Sequence, residues 1–117
     1  TGDSVRFLKE LAVNRPANFQ YLDLLYLDSY DVEFNDPHLS ALHHMKELMA
    51  AANLISAETL VVVDDAPLQG FFVQSAEGLD LIMEPEISGK GKYVADYAKT
   101  IGLTPVFTGY QVGWIGF

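Results

Sequence analysis

"LDLLYLDSYD" (22–31) is apolar on nearly every position and then stops at an acid, Asp28, with Ser29, Tyr30 and Asp31 directly behind it. A half-buried strand alternates apolar and polar residues, so a continuous run of this length reads as an inner strand covered on both faces. A second run, "LVVVDDAP" (60–67), is β-branched and ends the same way, at Asp64 and Asp65. Between them, "HLSALHHMKELMAAANLI" (38–55) has helical spacing. Leu39, Leu42, Met45, Met49 and Ala52 form one stripe, with His43, Lys46, Glu47 and Asn53 mostly off it. Strand, helix, strand predicts a parallel pair joined by a crossover. In open α/β sheets ligands sit beyond the carboxyl ends of the strands, the edge on which both acidic clusters fall.

Outward from this unit, "GDSVRFLKELAV" (2–13) opens with cap-like Asp3 and Ser4 and spaces Val5, Leu8, Leu11 and Ala12 as one helix face. "NRPANFQ" (14–20) is a connector, and "SYDVEFNDPH" (29–38) is a long loop closing in a helix-starting Asp36-Pro37. "KYVADYAKTIG" (92–102) is a helix ended by Gly102, and "TPVFTGYQVGWIGF" (104–117) reads as two strands about a Tyr110-Gln111 turn. The stretch 66–92 between them is compatible with a short strand, a lid or an irregular loop. The expected fold is one α/β domain, 1–117, with parallel strands, crossover helices and a C-terminal antiparallel hairpin. Its first strand runs from Tyr21 to Asp28.

Half of the 117 residues are apolar, enough for one real core. A formal charge of −9, from 16 acidic and 7 basic residues, repels phosphate backbones, and Lys90, Lys92 and Lys99 make only a thin basic cluster. Nucleic acid is therefore not an expected partner, whereas a cationic ligand or divalent metal is tolerated. No apolar run has the length of a membrane helix, and the first residues lack the layout of a signal peptide. With no cysteine there is neither a disulfide framework nor a thiolate zinc site, and a cytoplasmic location is expected.

Asp28, Asp64 and Asp65, gathered at one rim, repel each other unless a proton or a cation lies between them. Mg²⁺ or Ca²⁺ would satisfy them. A single strand-end Asp equally well caps the next turn. His43 and His44 point about 100° apart on a helix and cannot share one ligand, so one faces the surface and the other is partly buried. His38, near the helix start on the carboxyl-edge side, is open to base chemistry, metal binding or a structural role. "GKGK" (89–92) lacks the Walker spacing and its final Ser or Thr, and reads as a helix N-cap with a flexible lead-in. Tyr110, Trp114 and Phe117 read as core and sheet packing.

The order "GDSVRFL", "FQYLDLLYLDSYD", "HHMKELMAAANLISAETLVVVDD" and a closing hairpin resembles the C-terminal half of class I S-adenosylmethionine-dependent methyltransferases. The resemblance implies a partial Rossmann-like sheet, with Asp3 and Ser4 near the adenine and Asp28 near cofactor and substrate. In the metal-dependent O-methyltransferase branch, acids at these strand ends hold Mg²⁺, which implicates Asp28, Asp64 and Asp65. The ion would orient and acidify a hydroxyl of a small-molecule methyl acceptor, and His38 or His44 would take the proton. The family's first strand, its glycine-rich loop and its ribose-binding acid would precede Thr1. Without them the expectation is a methyltransferase fragment not active alone, whose strand 21–28 becomes a bare apolar edge for a homodimer or larger oligomer. The alternative is a non-catalytic remnant acting through oligomerisation. A phosphoacceptor receiver domain is rejected: there the acidic pair precedes the lone Asp, and no strand-end Lys is seen here.

Overall fold

The computed structural model describes residues 4–15, 19–28, 38–69, 72–75, 78–81 and 86–117. Strand β1 (Leu22–Leu27) runs parallel to β2 (Ile55–Val63), with helix α2 (His38–Ala50) between them in sequence. Strand β7 (Val112–Ile115) pairs antiparallel with the other side of β2, giving the order β1-β2-β7. The protein is thus α/β, built on a small, open, mixed sheet. Helix α1 (Ser4–Val13) precedes the sheet and α3 (Lys92–Thr100) lies between β2 and β7.

Register decides what is buried. Leu25, Val61 and Trp114 form one row across the sheet, and Leu27, Val63 and Val112 the next. All six are buried in a single cluster with Leu8 of α1, Leu48 of α2, and Val94 and Ala98 of α3. The three helices therefore cover the same face. The intervening rows, Leu24-Leu60-Ile115 and Tyr26-Val62-Gly113, point the other way. There Leu24 is 51%, Tyr26 46% and Ile115 45% exposed. The expectation of burial on both faces holds for β2, where Val61, Val62 and Val63 are all buried, and is corrected for β1, where only alternate residues, Leu25 and Leu27, are enclosed.

Helix α2 corrects the predicted stripe as well. Its buried residues are Ser40, Ala41, His44, Glu47 and Leu48, whereas Leu39 is 63% and Met49 66% exposed. Small residues let this face approach its neighbours closely, and the two large polar side chains on it pair with each other. His44 Nδ1 lies 2.6 Å from Glu47 Oε1. The stripe chosen on hydropathy alone was rotated away from the core because it could not foresee that pairing.

The C-terminal hairpin is also reduced. Only Val112–Ile115 is a strand, facing a single bridge from Phe107 to Gly113. Pro105 has no N–H to extend that ladder. By contrast the end of α3 is as expected. Gly102, at φ 83°, bonds Lys99 O, and Leu103 N–H bonds Ala98 O, closing a Schellman cap. Within 66–92, β3 (Leu68–Gln69) pairs with β6 (Glu86–Ile87), and β4 (Phe72–Ser75) with β5 (Gly78–Leu81), both antiparallel. Asp3 and the loop 29–37 lie outside the described residues. Among the described residues, no helix is long and apolar enough to cross a membrane.

Candidate functional site

The site begins with the parallel ladder. Asp64 N–H bonds Leu27 O at 3.2 Å, which extends the β1–β2 pairing by one residue and sets Asp28 beside Asp64. The chain then turns at Asp65, which takes φ 50°, a left-handed conformation that Asp tolerates better than most residues. Asp64 Oδ1 accepts from Asp65 N–H at 2.9 Å and holds the turn. Each of Asp28, Asp64 and Asp65 then has a carboxylate oxygen within 4.8 Å of the other two. Unscreened by a counter-charge, each such pair repels by about 1–4 kcal/mol at effective dielectrics between that of water and 20.

The compensating charge is Lys90. Its Nζ lies 2.9 Å from Asp28 Oδ1 and 3.1 Å from Asp65 Oδ2, with the side chain only 3% exposed. Burial pulls the ammonium pKa down, but the bonds to Asp28 and Asp65 outweigh it and the net shift is upward. Three hydrogen bonds and one left-handed glycine place it there. Lys90 N–H bonds Asp65 O at 3.0 Å, Ser88 N–H and Oγ both bond Pro67 O, and Gly89 takes φ 64°. Gly91 then presses on the acidic turn so closely that a Cβ on it would lie 2.7 Å from Ala66 Cβ. Only glycine allows that approach.

Three further polar groups close the rim. Tyr26 Oη donates to Asp64 Oδ2 at 3.1 Å and accepts from Gln111 Nε2 at 2.9 Å. Desolvation, followed by the bond to Asp64, raises the Tyr26 pKa, so this phenol stays a donor. The Tyr110 hydroxyl bonds Asp65 and is raised for that reason. The same bond first, and Lys90 next, holds the Asp65 carboxyl below its ordinary range against the opposing effect of burial.

The three acids predicted to converge do so. Reading "GKGK" as a cap with a flexible lead-in misses Lys90. The available signal was a lysine between two glycines in a chain short of cations. Tyr26, Tyr110 and Gln111 were also missed as site residues, having looked like sheet and turn positions. The histidines lie elsewhere. His44 is fully enclosed behind the rim, bonded to Glu47, with its Nε2 buried and unpartnered. In this arrangement the His44 ring is closed off from solvent. His43 is half-buried and meets Ser4 Oγ at 2.9 Å. His38 is exposed and contacts the Tyr93 hydroxyl through Nδ1.

Neither group implied by the family resemblance fits these residues as they stand. A divalent ion among Asp28, Asp64 and Asp65 would compete with an ammonium already bonded to two of the three. For S-adenosylmethionine, Ser4 is engaged with His43 between α1 and α2, Asp28 is engaged with Lys90 at the strand rim, and Asp3 is outside the described residues. The described residues do not gather into an adenosine site. Comparison with known protein families, with curated proteins and with solved structures returned no match. The site is therefore defined by its own geometry: a charge-compensated carboxylate rim at the carboxyl ends of two parallel strands.

Proposed function

We propose that the chain carries the acceptor-side rim of a Rossmann-like, class I methyltransferase-type site and is catalytically silent by itself. The observation that supports this is the convergence of Asp28, Asp64 and Asp65 at the ends of adjacent parallel strands. The antiparallel β7 beside β2 favours this reading over a receiver domain, whose sheet is parallel. In it, the carboxylates and the Tyr26 and Tyr110 phenols orient a hydroxyl-bearing small molecule, and no cofactor is held by the described residues.

The test is an amide NMR titration with a vicinal diol, alongside calorimetry with S-adenosylmethionine. Weak, millimolar shifts at the amides of residues 28, 64 and 65 with the diol, and no micromolar heat with the cofactor, are expected. A spectrum unmoved by the diol overturns the methyltransferase reading. Micromolar cofactor binding overturns the silence.

A second reading, association through the sheet, draws on a separate observation. Leu24, Tyr26 and Ile115 stand exposed on the face away from the helices, and among the described residues β1 is an edge strand. Such an edge and face invite pairing with another copy into a homodimer or larger oligomer. A clean monomer in sedimentation at high concentration removes this reading.

A further inference from the structure

We propose that Lys90 is the resident cation of the carboxylate rim, occupying the place a divalent metal would take and acting as a positioning residue for Asp28 and Asp65. The family resemblance points to a metal here, and the side chains disagree with it. The Lys90 side chain is only 3% exposed, and its ammonium bonds one oxygen of each of two acids, at 2.9 and 3.1 Å. Its backbone is fixed as firmly as its head, by the Lys90–Asp65 main-chain bond and the close approach of Gly91 to Ala66. A divalent ion at the same point needs those two oxygens and would sit against the ammonium, so the two cations exclude each other. Asp64 stands apart from this pairing: its oxygens accept from Tyr26 and from Asp65 N–H. The rim is held together without a metal.

The inference concerns the same rim as the proposed function but does not rest on methyl transfer, so divalent and cofactor titrations fail separately. The experiment is a Mn²⁺ titration of the labelled chain, read as broadening of the amides of residues 28, 64 and 65, with Mg²⁺ calorimetry beside it. The wild-type chain is expected to show no saturable, rim-centred broadening at submillimolar Mn²⁺. Saturable broadening there overturns the proposal. Lys90→Met frees the carboxylates and is expected to bind Mn²⁺ at least ten-fold more tightly, whereas Lys90→Arg, which keeps the charge, gains nothing. A folded Lys90→Met chain with no gain also overturns the proposal. If that variant does not fold, the wild-type titration and the lysine Nζ resonance decide. A slowly exchanging Lys90 ammonium signal, unmoved by Mg²⁺, supports a resident cation, and its loss on adding Mg²⁺ refutes it.

Discussion

Lys90 turns three mutually repelling acids into a bonded unit, so its removal should cost more than its solvent-facing partners suggest. Removing one partner of a fully buried pair costs about 3–5 kcal/mol. Asp28 and Asp65 are 43% and 25% exposed, and water screens part of that loss. Lys90→Met is expected to lower unfolding free energy by about 1–3 kcal/mol, measured by urea titration. Gly91→Ala should destabilise by a similar amount for a steric reason: its new methyl carbon would lie 2.7 Å from Ala66 Cβ, where neither backbone can yield. The two charges also set a pH window. Asp65 titrates below its ordinary 3.8 in the fold, so its stabilisation is present above that value and is lost as pH falls through the lower, folded one. Lys90 titrates above its ordinary 10.5, so its share is present below 10.5 and is lost as pH rises through the higher, folded value. Thermal melts should therefore show a neutral plateau that falls away below about pH 4 and above about pH 10.

At the level of elements, legibility followed how local the determining chemistry was. The cap of α3 was readable because Gly102 alone makes it possible, and Gly102→Ala, at φ 83°, should cost about 1 kcal/mol in a denaturant melt. The acidic ends of β1 and β2 were readable because an abrupt change from Leu or Val to Asp marks a strand end whatever packs around it. The inward face of α2 was not. Its orientation depends on His44 meeting Glu47, a contact that hydropathy scores as two polar residues to be kept outside. Lys90 escaped for a related reason. Its partners are 62 and 25 residues away in sequence, and nothing local to "GKGK" announces them. Leu39 and Met49, counted as core by periodicity, are exposed, so Leu39→Lys should leave the melting temperature within a degree or two.

For the molecule as a whole, the sheet has one face covered by helices and a second on which Val62 is buried while Leu24, Tyr26 and Ile115 stand exposed. In β1 the run read as buried on both faces is buried only at alternate residues, Leu25 and Leu27. The remainder of the apolar run, Leu24 and Tyr26, was chosen by a sequence suited to a covered face, yet the described helices all pack on the other side. If association uses this surface, Leu24→Lys should shift the sedimentation profile toward monomer while leaving the buried row and the fold intact. An unchanged profile places the association elsewhere.

Among the described residues, strand β2 is the only one hydrogen-bonded on both sides, and both neighbours reach it from far along the chain. Nothing local can therefore hold Val61, Val62 and Val63 in place, and nothing short of losing both flanking strands can release them. Their amides should exchange with deuterium only through complete unfolding, giving the highest protection in the protein, while outward-facing amides of β1 exchange rapidly. Because Asp64 and Asp65 continue directly from those valines, the rim inherits its rigidity from the slowest-opening segment of the chain.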